Sequence, residues 1–369
     1  GAEAHDHLLA GAEAAILVSL GHRENDPARQ REREERARPF RGLRMVELAR
    51  RYLDGSGRRT EGMTGSEVCR LALGMHSVSD FPKLLANVQN KFLQAGYDAA
   101  PSSYEQLAKE RNAADFKSIA TAHAGLGTAF AEIQQGAAVS FGTITEGGET
   151  YVLKRYGKGI AFTIEAMISD DLDALGDIPR KFGVQTRMLT NRLAWALIVG
   201  NVTMADGVAL FHNGSHKNDL ATPSSLDDAG ALSAARVLLR LQTEPDGTVM
   251  NLAPAHLIVG PTNETLARQL VSGEFVPSDT SKINTFKGLN LIIEQELETA
   301  SGGNALRWFM ACAREMIPGF EVAFLEGNKL PTIQSQTDFD TDALKTKATF
   351  AVGLCVPNHR AWVRSAGTS

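Results

Sequence analysis

Two histidines four residues apart, His212 and His216, stand in the segment Phe211-His-Asn-Gly-Ser-His, with Asp206 and Asp219 nearby. On a helix that spacing puts both imidazoles on one face, where they can share a metal ion. A metal-dependent hydrolase using His212, His216 and Asp206 is therefore one function the segment allows. Asn213-Gly214 argues instead for a turn, and no HExxH pattern accompanies the pair, so the plainer expectation is a solvent-exposed loop. Asp170-Asp171 are adjacent carboxylates of the kind used in acid–base work. They also precede a long helical pattern, where acids favour the positive end of the helix dipole. No GxSxG elbow, P-loop or GxGxxG fingerprint occurs, and the glycines between 125 and 148 lack the Lys-Ser/Thr of a phosphate cradle. Cys69, Cys312 and Cys355 are widely spaced and odd in number, which points to reduced structural thiols rather than a zinc knuckle or a disulfide framework. The expectation is a protein without catalytic, metal-ligating or cofactor-binding residues, hence no enzyme and no cofactor.

The elements that would position these residues differ along the chain. At 369 residues it suits two or three substructures. A net charge of −5 shows no basic excess of the kind a dedicated nucleic-acid binder carries. The run Ala14 to Leu20 is too short to span a bilayer and has no basic region before it, so neither a membrane span nor a signal peptide is expected. Thirteen arginines and no lysine precede residue 77, and the first lysine is Lys83, which marks a composition seam there. Arg23 to Arg38 mixes arginines with acids and reads as a solvated helix, a flexible tether or an arm that docks on a neighbour. Arg41 to Asp54 carries a helical apolar stripe ended by Gly55 and Gly57, and Thr64-Gly65-Ser66-Glu67 is a capping box opening a helix through Leu73. These pieces are too fragmented to bury a core by themselves, which favours an extended arm.

Ser79 to Tyr97 reads as a stronger amphipathic helix, with Asp80 able to cap it and Pro82 in its first turn. Phe116 to Thr121 and Tyr151 to Ile164 alternate as strands do, around a glycine-rich stretch whose Gly147-Gly148 sits where a hairpin turn is expected. Such a hairpin is marginal alone and needs a partner surface. Ile178 to Val199 is the clearest long helix, roughly 33 Å at the standard rise, with Asp177 as cap and Pro179 in the first turn. Further on, helices are expected over Asp227 to Leu241 and Thr262 to Val271. Strands are expected over Ala255 to Val259, Leu289 to Glu296, Ala305 to Ala311, Phe320 to Leu325 and Ala343 to Leu354.

Several separated stretches now carry a resemblance. Ser79-Asp80-Phe81-Pro82-Lys83-Leu84-Leu85-Ala86-Asn87-Val88 resembles the signature that opens the core of Mu-like major capsid proteins of tailed bacteriophages, a type often encoded behind a prohead protease. Tyr151 to Ser169 followed by Asp170-Asp171-Leu172, Met204 to His212, and Phe320 to Gly327 are similar to further stretches of that family in the same order. The resemblance covers residue 41 to the C-terminus. It implies an α+β fold of the HK97 type: an N-terminal arm with helices over 1–115, an E-loop hairpin over 116–160, a peripheral domain with a long spine helix over 161–199 and 305–369, and an axial domain over 200–304.

The function implied is a head protein that assembles with itself into hexamers and pentamers. These would form the icosahedral shell around double-stranded DNA, without sequence-specific binding. The subunit would be placed in the virion after assembly in the host cytoplasm, with portal, prohead protease and decoration proteins as further partners and no membrane. Inter-subunit contacts are expected from the E-loop at Gln135, Phe141, Thr143, Glu146, Tyr151 and Lys154. Lys154 and Asn358 could form the isopeptide cross-link that some capsids of this fold carry, or be a solvated lysine and a turn asparagine. The start at Gly1 without methionine fits release by an upstream protease. The alternatives are an encapsulin-like nanocompartment shell and the hydrolase above.

Overall fold

A computed structural model describes residues 2–24, 26–72, 81–121, 123–125, 145–163, 172–226, 229–245, 247–271, 286–338 and 343–367. The helices are α1 (Ala2–Ser19), α2 (Pro27–Ala37), α3 (Met45–Gly55), α4 (Gly65–Ala72), α5 (Phe81–Ala99), α6 (Leu172–Val199), α7 (Ala229–Arg240) and α8 (Glu264–Val271). The strands run from β1 (Ala108–Ala113), β2 (Ile119–Ala120), β3 (His123–Gly125), β4 (Thr145–Gly147), β5 (Thr150–Tyr151) and β6 (Lys154–Thr163) to β7 (Pro254–Val259), β8 (Asn290–Ile293), β9 (Trp308–Cys312), β10 (Phe320–Leu325), β11 (Thr332–Asp338), β12 (Ala343–Cys355) and β13 (Trp362–Ser365). The expected α+β class is what is found.

Two compact units emerge. The first gathers Gly1–Pro101, Arg155–Met188 and Asn328–Ala351. Its N-terminal helices are not a coreless arm, contrary to the sequence-based expectation. Ala12, Ile16 and Leu17 of α1 close over Met45, Leu48, Tyr52 and Leu53 of α3, Val68 and Cys69 of α4, and Leu84, Leu85, Val88 and Phe92 of α5. The missing ingredient was α1, whose apolar run supplies the face that the shorter helices lack. Ile160 and Ile178 pack partly against the same cluster.

The arginine-rich stretch is a helix held in place. Asp26 caps α2 through Ala28 N at 2.9 Å. Arg33 points inward, bonded to His22 at 2.8 Å and ion-paired with Glu24. The capping box forms as read, with Glu67 taking the Thr64 N–H at 2.7 Å. α6 begins six residues earlier than expected, so Pro179 lies inside the helix rather than in its first turn. α6 and α5 approach closely at Gly183, where a Cβ would lie 2.0 Å from the Leu93 carbonyl oxygen; only glycine permits that contact. β11 pairs antiparallel with β12, Thr332 opposite Thr349, and β6 also pairs with β12.

The second unit comprises Ser102–Lys154, Leu189–Gly327 and Val352–Ser369. β1 runs parallel to β10, Ala108 opposite Phe320, while Val352 to Cys355 of β12 run antiparallel to β10. A second sheet has the order β13-β9-β7-β8, with β7 and β8 parallel and the other pairs antiparallel. β9 is buried at all five positions, as a strand covered on both faces should be. Trp195, Phe320 and Trp362 are fully buried and meet edge to face, with ring centroids 5.3–6.2 Å apart. Cys69, Cys312 and Cys355 are all buried free thiols. Burial pushes the Cys312 thiol up to about 11 and raises those of Cys69 and Cys355 as well. No described helix is long and apolar enough to cross a membrane.

Candidate functional site

The glycine-rich excursion is rooted in the second unit as a two-stranded ladder. Ile119 pairs with Tyr151 and Ala120 with Thr150; His123, Ala124 and Gly125 then pair with Gly147, Glu146 and Thr145. Each step forward on one strand matches one step back on the other, so β2–β5 and β3–β4 share one register. Gly147-Gly148 is therefore not the turn: Gly147 is paired within a strand, opposite His123. Gly148 serves a different purpose. A Cβ there would lie 1.4 Å from the Thr121 carbonyl oxygen, so glycine is what lets the strands meet where Thr121 N donates to Glu149 O at 2.8 Å.

A buried carboxylate anchors this root. Glu321, on β10, accepts from the Tyr151 hydroxyl at 2.9 Å and from Arg111 at 3.2 Å. The same arginine donates to the Ala120 carbonyl at 3.1 Å. Glu149 accepts from Ala205 N at 2.8 Å. Burial, and then the bond to Glu321, raise the Tyr151 phenol well above its usual value. A raised phenol stabilises the fold in full below the unfolded value of about 10. Above that, the unfolded chain releases its proton first and stability falls as pH climbs toward the folded value. Tyr151→Phe is expected to cost about 1–2 kcal/mol near neutrality and to flatten the alkaline loss of stability. Urea melts at a series of pH values test this, and parallel curves for the two proteins would refute it.

A second polar hub gathers around Glu294. Glu294, 3% exposed, accepts from Asn191 at 2.9 Å and from the Ser103 hydroxyl. Ser103 in turn accepts from the Trp195 indole N–H at 2.7 Å. Every member has a partner, as buried polar groups require, and the hub ties the segment before β1 to the C-terminal half of α6.

The histidine segment differs from the expected exposed loop. His212 is exposed, and its Nδ1 accepts from Ser215 N at 2.9 Å. His216 is 3% exposed. Its Nδ1 lies 2.9 Å from the Leu210 carbonyl oxygen and its Nε2 lies 2.8 Å from Asp206 Oδ2. The third member is His359, whose ring stacks on that of His216 at 3.8 Å and 5°. Sequence spacing pairs His216 with His212; the fold pairs it with a residue far along the chain. Asp206 would be raised by burial, yet the contacts with His216 and Val208 and the charge of the two imidazoles when protonated hold it below the usual carboxylate range. Asp219 is taken by Arg364, at 2.9 and 2.5 Å.

Of the expected contact residues, Tyr151 sits at the ladder root and Lys154 is exposed at the start of β6. Glu146 lies in β4 opposite Ala124. Gln135, Phe141 and Thr143 fall outside the described residues, as do Ser79, Asp80, Asp170 and Asp171. Asn358 caps a short turn of helix by accepting from Arg360 N at 3.0 Å. Large apolar side chains stand exposed at Phe116 and Val152, on either side of the ladder in sequence, and at Val237, Leu241, Val249 and Met316.

The model of a family described as phage capsid protein matches residues 147–365, more than half of the chain. No curated protein matches the sequence. Among solved structures, a virus-like particle from Pyrococcus furiosus is similar at 13% identity and a TM-score of 0.42, over 75% of this chain and 97% of that one. A structure from Mycobacterium phage Che8 is similar at 14% identity and a TM-score of 0.46, over 73% and 93%. The capsid of an empty GTA particle is similar at 13% identity and a TM-score of 0.46, over 71% and 88%.

Proposed function

The chain belongs to the phage capsid protein family, and from that premise we infer that it is the major shell subunit, closing with copies of itself into the hexamers and pentamers of an icosahedral head around double-stranded DNA. In this reading the chain has the HK97-type division of labour. The helices before residue 115 form the N-terminal region, the 116–160 excursion is the E-loop, α6 is the spine of the peripheral domain, and 200–304 is the axial domain. The subunit acts in the virion after assembly in the host cytoplasm. Gln135, Phe141, Thr143, Glu146, Tyr151 and Lys154 are the E-loop positions assigned to neighbour contacts, with portal, prohead protease and decoration proteins as further partners.

The observation that carries this reading is the rooted hairpin. A ladder fixed by Glu321, Tyr151 and Arg111 invests a buried carboxylate in aiming two strands that are marginal without a partner. Rings built from one repeated contact are the standard way for identical subunits to use such an unpartnered hairpin. A shell wall with net charge −5 also avoids adhering to its polyanionic contents. Electron microscopy of the purified protein under assembly conditions tests the proposal. Closed particles showing five- and six-fold clusters are expected; a protein that stays monomeric across salt, pH and concentration would overturn it.

A further inference from the structure

The cluster around His216 has no part in the assembly reading above. We propose that Asp206, His216 and His359 form a binding site for one divalent transition-metal ion of the zinc or cobalt class, with a further coordination position open to solvent.

The geometry begins with His216. Both of its ring nitrogens face oxygen acceptors, the Leu210 carbonyl and the Asp206 carboxylate, but a neutral imidazole has one N–H. With the proton on Nδ1, donated to the carbonyl, the Nε2 lone pair points at a carboxylate oxygen 2.8 Å away. Two lone pairs at that separation call for a cation between them, either a second proton or a metal. The Nδ1–H to carbonyl bond is also how metal-binding histidines are commonly oriented from behind.

The third ligand is His359, and one donor atom from each of the three residues lies within 4.8 Å of the others; because parallel stacking aims the two rings' in-plane lone pairs side by side, His359 must tilt out of the stack to bind. Zinc bonds of about 2.0–2.2 Å put neighbouring ligands of a tetrahedral ion about 3.3 Å apart. Binding therefore asks the Asp206 oxygen to move out by about half an ångström and the remaining donors to close in. Asp206 can make that move by turning about its other oxygen, which accepts from Val208 N at 2.9 Å, since its side chain is half exposed. His216 is not, because its loop is framed by buried groups. Asn218 donates to Leu210 O at 2.8 Å and to His359 O at 3.2 Å, and Gln242 donates to His216 O at 3.1 Å.

Two imidazoles and one carboxylate form a borderline donor set that favours zinc, cobalt or nickel over magnesium or calcium. Lys217 and Arg360 are the cations adjoining the ligands in sequence; the Arg360 Nε donates to Thr243 O at 2.6 Å, while its charge still interacts with Asp206. An ion here would clip the 204–216 loop to the segment that leads into β13.

The test is titration of metal-stripped full-length protein with Co²⁺ and Zn²⁺, read by the visible spectrum of bound cobalt and by the melting temperature. One equivalent should bind, and the melting temperature should rise with metal concentration. His216→Ala removes a buried ring and need not fold, so Asp206→Asn and His359→Gln carry the assignment. Each should weaken binding by about tenfold or more, while His212→Gln should leave it unchanged. Absence of saturable one-equivalent binding would overturn the site. So would undiminished affinity in both Asp206→Asn and His359→Gln, which would place the ion on other histidines.

Discussion

Removing residues 126–144 and joining Gly125 to Thr145 through a two-residue turn is expected to yield a folded subunit that no longer closes into shells. The cut is set by the ladder. Gly125 and Thr145 are direct cross-strand partners, so their Cα atoms are about 4.5–5.5 Å apart, a gap a tight turn spans. Everything that fixes the root lies outside the deletion: the Tyr151–Glu321 and Arg111–Glu321 bonds, the Thr121–Glu149 pair and Gly148. The melting temperature should change by no more than a few degrees, since no buried contact of the described core is lost. What goes is the stretch between Gly125 and Thr145, with Gln135, Phe141 and Thr143. Size-exclusion chromatography and electron microscopy should find dispersed subunits or small rings. Normal closed particles from this deletion would remove the hairpin from the assembly mechanism.

The largest expected loss of stability comes from Trp195→Ala. The indole is fully buried and packs edge to face on Phe320 and Trp362 at 5.5 and 6.2 Å. Truncating a buried tryptophan typically costs about 3–5 kcal/mol, because the surroundings collapse only partly into the cavity. Here the loss extends to the polar hub. Ser103 would lose the indole N–H it accepts at 2.7 Å, and the balance of donors around Glu294 would change with it. Trp195→Phe separates the two effects by keeping most of the packing while deleting the donor, and should cost about 1–2 kcal/mol. Chemical denaturation of unassembled subunits measures both. A loss below about 1 kcal/mol for the alanine variant would mean that the C-terminal half of α6 is not held by this aromatic cluster.

These results bear on what the residues alone could reveal. The end of α6 was legible because Leu193 to Val199 is apolar almost throughout and Gly200 follows. Its beginning was not, because Pro179 imitates a first-turn proline. β10 was legible as a mostly apolar run and the second half of β12 from its apolar residues. β1, with sequence AKERNA, and β11, with TIQSQTD, carry no period-two apolar signal, since strands paired along their edges with exposed faces need none. Glycine was the most misleading residue: Gly147-Gly148 has the composition of a turn, whereas the fold uses it for a close passage of two backbones. The histidine cluster could not be read locally at all. His359 reaches His216 only because β13 pairs with β9 and Arg364 N donates to Asn218 O at 2.9 Å, a long-range consequence of sheet register. Family resemblance carried the functional reading where periodicity could not.

The three sequestered thiols have a practical corollary. Thiolate, not thiol, reacts with electrophiles, and Cys69, Cys312 and Cys355 are both hidden and shifted away from ionisation. A cysteine introduced at an exposed position outside the assigned neighbour contacts, such as Glu61, would then be the sole readily alkylated thiol on the described surface. Fluorophores, peptides or cross-linkers could be displayed at one chosen address per subunit, repeated over a whole particle, without first stripping the native cysteines from the core.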